Sequence, residues 1–258
     1  MNETEKYIKG YFAELNINVL DFIKKIGISV SEFNEIITNN KHDFMIDLTF
    51  RYAQVVFDED ILIPELKKFY NSHSRRIDTL IETSIRSKEY HKIRLMLNIV
   101  RRFVELSDEI ECVERSSDVM KILFSVICIE SLFKHAGMNT KNKYLILKDF
   151  FNDFITEKSK KYLGKSITRE SNPIGIDAFV NLINSLRNEF VHEGKYWGFN
   201  FIDKHPMLYT LKFPENESEY SNKRFDNRIY NVSLSYGNYK NILMEGYVAI
   251  IENVYEKI

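Results

Sequence analysis

Glycine and proline are scarce in this chain, which has 9 glycines and 4 prolines among its 258 residues. Sheets built of short strands and tight turns need such residues, so long helices are favoured over a sheet of that kind. Hydrophobic residues make up 44% of the chain, which is enough for a core and excludes a disordered polymer. The sequence therefore predicts a mostly α protein.

Cysteine is also scarce: Cys112 and Cys128 are the only two. No second cysteine pair and no histidine at metal-ligand spacing accompanies them, so we expect no zinc site. We also expect no other metal and no cofactor. Pairing of the two cysteines stays open. The chain begins Met1-Asn2-Glu3-Thr4-Glu5, without the basic and apolar segments of a secretory signal, which favours the reducing cytoplasm. The longest apolar run, around residues 122–129, is far too short to span a bilayer, so no membrane partner is expected.

Neither positive nor negative charge dominates, because the formal net charge is -1. This balance excludes the class of strongly basic proteins that pack nucleic acid. The distribution is uneven, however. Residues 1–85 carry 10 Lys and Arg against 14 Asp and Glu, whereas residues 134–169 carry 9 against 3. The second stretch has the composition that gives sequence-independent affinity for nucleic acids, although a solvated, lysine-rich helix face is an alternative.

The first 57 residues predict helices. Residues 2–39 have the pattern of short amphipathic helices broken at Gly10 and Gly27. Residues 43–57 suit either a helix or a strand, and helix is preferred because the neighbouring segments are helical. We divide the chain into an N-terminal helical region of unknown role, 1–85, and a helical domain, 86–258.

The segment 118–134 is the clearest helix. Asp118, Lys121 and Ser125 form one polar stripe at 100° per residue, and almost all its other residues are apolar, which predicts a central core helix. Glu130 is about 140° from the middle of that stripe. A charge on the apolar face needs a partner, because burial of an unpaired charge is costly. An exposed pair with Lys134, four residues later, is the alternative.

Near the C-terminus the pattern changes to strands. Residues 207–213 and 228–236 resemble two β-strands on either side of a polar loop, 214–226, and a final helix is expected from about 239 to 257. We therefore expect a β-hairpin insertion over 207–236 within the helical domain.

A segment before this hairpin combines a fixed cation with a titratable imidazole. Phe179, Ile183 and Leu186 begin the apolar face of a helix in which Arg187 and His192 are five residues apart, and Gly194 is placed to end it. Arginine stays charged and can bind two phosphate oxygens at once, while histidine can donate or accept a proton near neutral pH. This pairing suits phosphodiester cleavage. The alternative is a surface arginine and a histidine that caps a helix.

The helical spacing separates these two side chains. Arg187 and His192 are about 140° apart around a straight helix and about 7.5 Å apart along it, so one such helix does not direct both at one atom. Two arrangements remain. Either the backbone unwinds at His192 because of Gly194, or a second copy of the helix crosses this one at a two-fold axis and contributes to a shared site.

These residues resemble the HEPN superfamily, in particular its Apea-like branch. The resemblance rests on Leu186-Arg187-Asn188-Glu189-Phe190-Val191-His192-Glu193-Gly194 and on the upstream helix with Ile127-Cys128-Ile129-Glu130-Ser131-Leu132-Phe133. It covers residues 86–258, about two thirds of the chain. It implies a HEPN-like helical bundle with an R-x4-6-H motif. Members that keep this motif are typically metal-independent ribonucleases that act as dimers in toxin-antitoxin, abortive-infection and related antiviral systems.

The resemblance implies that Arg187 and His192 are catalytic and that Asn188 and Glu130 support them. The expected activity is an endoribonuclease that uses the 2′-hydroxyl of RNA as its nucleophile. The expected partners are RNA, a second copy of the chain, and a cognate antitoxin or regulatory protein. Candidate RNA-binding residues in the basic stretch are Lys158, Lys160, Lys161 and Lys165.

Two other functions are compatible with the same helix. In one, the protein is a catalytically inactive helical adaptor that holds RNA and cleaves nothing. In the other, it is a regulatory subunit that uses this helix only as a dimer interface. Variants of Arg187 and His192 separate these functions from a ribonuclease, because only the ribonuclease has a cleavage activity to lose.

Overall fold

The protein is mostly helical, as the sequence predicts. The computed structural model describes residues 2–14, 16–70, 77–86, 90–113, 118–138, 141–193, 199–203, 208–214 and 225–258. Within these residues the α-helices are α1 Glu3–Glu14, α2 Val19–Ile26, α3 Val30–Thr38, α4 His42–Phe57, α5 Ile63–Tyr70, α6 Ile77–Arg86, α7 His91–Val113, α8 Asp118–Ala136, α9 Lys143–Asp153, α10 Glu157–Ser166, α11 Gly175–Glu193 and α12 Tyr236–Tyr255. A π-helical turn, Asp58–Leu62, joins α4 to α5.

The predicted hairpin is present and belongs to a slightly larger antiparallel sheet. Its strands are β3, Leu208–Pro214, and β4, Phe225–Val232. β4 also pairs with β1, Ile167–Arg169, which in turn pairs with β2, Asn172–Pro173, so that the strand order is β2-β1-β4-β3. The sequence pattern did not predict β1 and β2. They enclose a two-residue turn with positive φ, which suits the twist of a short hairpin.

Two clusters of buried apolar side chains form separate cores. The smaller cluster lies within α1–α4 and includes Phe22, Ile26 and Phe33. The larger cluster extends from Leu62 to Val254 and includes buried residues of α5 and α6. The boundary between the two cores therefore lies before residue 62, inside the predicted N-terminal region 1–85. The predicted division of the chain after residue 85 rests on the sequence alone.

Several predicted boundaries can be compared with the helices. The chain does break at Gly27, where φ is 69° and the backbone amide caps α2, but the predicted break at Gly10 is wrong because α1 continues through it. A single glycine inside a helix costs about 1 kcal/mol, which neighbouring apolar contacts readily offset. Residues 42–57 are helical, as preferred. The predicted cap Gly194 and the tip of the hairpin lie outside the described residues.

α8 is the central helix, and it packs against α7, α9, α11 and α12. Its polar stripe does not face solvent: Asp118, Lys121 and Ser125 are 1%, 2% and 5% exposed. The Ser125 hydroxyl lies 2.9 Å from the Tyr239 hydroxyl of α12, so the stripe contacts a polar part of that helix. α8 is thus buried on its polar side as well as on its apolar sides.

Candidate functional site

The helix that carries the candidate motif is held by its apolar face. α11 begins at Gly175, whose φ of 76° turns the chain out of β2, and the helix packs against α8, α9 and α10. Phe179, Ile183 and Leu186 are 0%, 1% and 2% exposed. The predicted apolar face is therefore confirmed, and it fixes the rotation of α11 about its own axis.

This rotation turns Arg187 inward, where it is 8% exposed. Its Nη1 donates a hydrogen bond of 2.9 Å to the Asn188 Oδ1, and its Nη2 lies 3.6 Å from Oε1 of Glu130 on α8. A separation of 3.6 Å joins two charges but exceeds the length of a normal hydrogen bond. The buried Nε has no acceptor among the described residues. The guanidinium is thus oriented from two sides, and its Nε is left without an acceptor among the described residues.

Glu130 is shared by two cations. Its Oε1 faces Arg187, and its Oε2 lies 3.7 Å from the Lys143 Nζ at the start of α9. The alternative in which Glu130 pairs with Lys134 on an exposed face is wrong, because the Glu130 side chain is only 23% exposed and points toward α11 and α9. The position of Glu130 on an apolar helix face indicates that this carboxylate needs a partner, but helical spacing alone does not identify which cation it meets.

His192 lies in the last turn of α11 and is exposed. α11 is helical through Glu193, so the backbone does not unwind at His192, and the first of the two arrangements considered above is wrong. Arg187 faces inward while His192 faces outward, as expected from their separation of about 140°. Within one copy of the chain the two side chains therefore do not converge.

A surface groove of about 220 Å³ lies next to this cluster on α8 and α9. Glu130 forms part of its wall. Its other lining residues are Ile127, Ser131, Lys134, Lys143 and Ile146. The groove is therefore apolar at Ile127 and Ile146 and cationic at Lys134 and Lys143.

The four lysines predicted to bind RNA lie on α10. Lys158, Lys161 and Lys165 are exposed, while Lys160 is half-buried and its Nζ lies 2.6 Å from the Glu157 Oε1. The last turn of α10 packs against the start of α11, and Arg187 is twelve residues further along α11, about 18 Å away along its axis. The described contacts of Arg187 do not include these lysines.

A second polar cluster, of which the sequence pattern predicted the α8 residues but not their distant partners, surrounds the buried Lys121. Its Nζ lies 3.2 Å from the Asp118 Oδ1 and 4.3 Å from the centre of the Tyr236 ring. The Asp118 Oδ2 accepts a hydrogen bond of 2.8 Å from the backbone amide of Phe201. Burial, and then the nearby Asp108, raise the pKa of Tyr236. This cluster ties the segment that follows α11 in the chain to the central helix.

Metal-ligand clusters and membrane-spanning helices are absent from the described part of the chain. No group of three or more histidine, cysteine or acidic side chains is arranged there to hold a metal ion. None of the helices described has both the length and the apolar character needed to cross a membrane.

Cys112 is exposed and Cys128 is buried. Both thiols are free, so the two cysteines are not paired with each other.

Comparisons with protein-family models, with curated proteins and with solved structures found no match for this chain.

Proposed function

We propose that the chain is a metal-independent endoribonuclease of the HEPN type, which acts as a toxin or as an antiviral, abortive-infection effector. The observation that carries the proposal is the buried and only partly hydrogen-bonded environment of the Arg187 side chain. This side chain is nearly buried, it is oriented by Glu130 and Asn188, and its Nε has no acceptor among the described residues. A buried donor without an acceptor costs about 1–3 kcal/mol, and a phosphate oxygen is an acceptor that removes this cost.

The proposed chemistry needs no group beyond those of the motif and the RNA. The His192 imidazole of one copy removes the proton of the 2′-hydroxyl, and the His192 imidazole of a second copy protonates the leaving 5′-oxygen. Arg187 stabilises the negative charge on the phosphate. The products are a 2′,3′-cyclic phosphate and a 5′-hydroxyl. Because Arg187 and His192 diverge in one copy, the site requires a second copy that brings its own α11 to the first.

The exposed end of α11 supports this assembly. Val191 is 48% exposed and adjoins the exposed His192, so the last turn presents an apolar and a titratable side chain together. In a two-fold arrangement each of these residues meets the equivalent residue of the other copy. An antitoxin or another regulatory protein could block activity by covering the same turn.

The test is cleavage of single-stranded RNA by the purified chain in excess chelator, with product ends identified by mass spectrometry. We expect cyclic phosphate ends, and we expect His192→Ala to remove cleavage without changing thermal stability, because His192 is exposed. His91→Ala is a matched control, since His91 is also exposed and begins another helix. Cleavage that needs a metal ion, or that survives His192→Ala, contradicts the proposal.

The oligomeric requirement has its own measurement. Sedimentation should give a dimer, and specific activity should fall on dilution as the dimer dissociates. Growth arrest on expression should depend on His192 if the protein is a toxin. A monomer with full activity at all concentrations rules out the shared site.

The burial of Arg187 favours one second candidate, a helical adaptor in which this arginine only joins α11 to α8. In that case Arg187→Ala destabilises the protein, because removal of one partner leaves Glu130 with a partly buried charge. Since Arg187 variants lose stability under both functions, His192→Ala is the decisive variant. An adaptor that binds RNA has no His192-dependent cleavage to lose.

A further inference from the structure

The groove beside Glu130 has the chemistry of a binding site for one unpaired nucleotide. We propose that it holds a nucleotide of single-stranded RNA next to the phosphate bound by Arg187. The base lies against Ile127 and Ile146, and the adjoining phosphates contact Lys134 and Lys143. The proposal rests on the ribonuclease function and names a subsite for its substrate.

The groove adjoins the candidate site and lies beside Arg187. A single carboxylate separates the two, because Glu130 Oε1 lies 3.6 Å from Arg187 and Oε2 lies 3.7 Å from Lys143. Both sides of this carboxylate carry a cation. A strand whose phosphate reaches Arg187 therefore passes the groove with its neighbouring nucleotide.

The charge of the groove selects an anion. Lys134 is exposed and has no ion pair with a described residue, and the Lys143 side chain is 53% exposed. The one acidic residue of the lining, Glu130, already shares its charge with Arg187. Two ammonium groups therefore face one shared carboxylate, which favours phosphate and disfavours a cationic ligand.

The size and the apolar part of the groove select a single base. Its volume of about 220 Å³ is below the roughly 300–1,000 Å³ that drug-sized ligands and cofactors occupy. Apolar side chains bind the flat face of an unpaired base, whereas a paired base offers only its edge. Because α8 and α9 both supply lining residues, the groove is formed before RNA binds. The expected ligand is thus unpaired RNA rather than a duplex.

Binding can be measured apart from cleavage by using the full-length chain with His192→Ala as the parent. A fluorescent single-stranded RNA of twelve nucleotides gives the Kd from anisotropy at several salt concentrations. Lys134→Ala with Lys143→Ala should weaken binding about tenfold or more at low salt. The slope of log K against log salt should become shallower by about 0.7 for each phosphate that the variant no longer neutralises.

Two further variants separate the groove from general charge. Lys24→Ala with Lys68→Ala removes two exposed lysines of α2 and α5 and is the matched control, with binding expected within twofold of the parent. Ser131→Phe fills the groove without changing charge and should weaken binding as much as the lysine pair does. Circular dichroism melts check that each variant is folded.

The outcomes distinguish the subsite from the proposed function. The subsite is wrong if the Lys134 and Lys143 variant binds like its parent, if the Lys24 and Lys68 pair weakens binding as much, or if duplex RNA competes as well as the single strand. If the wild-type chain then still shows His192-dependent cleavage, the function stands without this subsite. If binding depends on the groove but the wild-type chain cleaves nothing, the groove is correct and the ribonuclease is not.

Discussion

Replacing Asp118 should destabilise the protein far more than replacing an exposed acidic residue, because its only charged neighbour in the described structure is also buried. The Asp118 Oδ1 lies 3.2 Å from the Lys121 Nζ, and the two side chains are 1% and 2% exposed. Removing one member of a buried pair takes away the opposite charge that balances the other member, at a cost of about 3–5 kcal/mol. Asp118→Ala also takes the acceptor from the Phe201 amide, which adds about 1–3 kcal/mol.

A double-mutant cycle separates the charge from the hydrogen bond. Asp118→Asn keeps an oxygen for the Phe201 amide and removes only the charge, so about 3–5 kcal/mol should be lost. Lys121→Met should cost a similar amount. The double variant has neither charge, and replacement of a buried pair by neutral groups is often close to neutral, so it should lie within about 2 kcal/mol of the wild type.

Thermal unfolding followed by circular dichroism measures these differences. For a chain of this size about 1 kcal/mol corresponds to 2–4 °C in Tm, so each single variant should melt about 6–20 °C lower. Lys134→Met, an exposed change on the same helix, is the control and should stay within about 0.5 kcal/mol. Losses in the double variant that equal the sum of the two single losses would refute the argument, because the pair would then have no coupling energy.

Three further substitutions and one labelling experiment test the packing. A Cβ at Gly164 comes within 3.0 Å of the backbone at the start of α11, and one at Gly246 meets a buried ring at 2.5 Å, so alanine at either position should cost about 1–3 kcal/mol. A Cβ at Gly10 meets open space, so Gly10→Ala should increase the free energy of unfolding by up to about 1 kcal/mol through helix propensity. Equal shifts in Tm for the three glycine variants would contradict this difference. Burial raises the pKa of Cys128, so alkylation at pH 8 should label Cys112 alone in the folded chain and both thiols in urea. Above about pH 8.5 the unfolded chain loses a proton that the folded chain keeps, so stability should fall as pH rises.

The local sequence pattern predicted the mostly helical fold and the hairpin. It did not predict what the polar faces of the helices contact. Asp118, Lys121 and Ser125 are correctly grouped by helical spacing, yet their burial depends on Tyr236 and Tyr239, more than 100 residues later in the chain. Helical periodicity identifies which residues share a face. It does not tell whether that face meets water or another polar surface, because this depends on tertiary packing.

The candidate site shows the same division between local and distant information. The position of Glu130 on an apolar face indicated that it needs a partner, and the tertiary fold supplies Arg187, 57 residues away, together with Lys143. The lysines of α10 were chosen from their density in the sequence. Density along the chain does not determine distance in space: Lys143 lies 3.7 Å from the Glu130 carboxylate that faces Arg187, whereas no α10 lysine is among the described contacts of Arg187.

The geometry of α11 also explains why a single chain would be inactive under the proposed function. Asn188 takes one hydrogen bond from Arg187, and Glu130 balances its charge from 3.6 Å without forming a normal hydrogen bond. The Nε of the guanidinium has no acceptor among the described residues, while His192 is exposed on the same helix. What one copy lacks is the convergence of these two groups, because a straight helix holds them about 140° apart. Under the proposed function the second half of the site would come from a second copy of the chain, because the helix remains intact at His192, and dimerisation would control the chemistry directly.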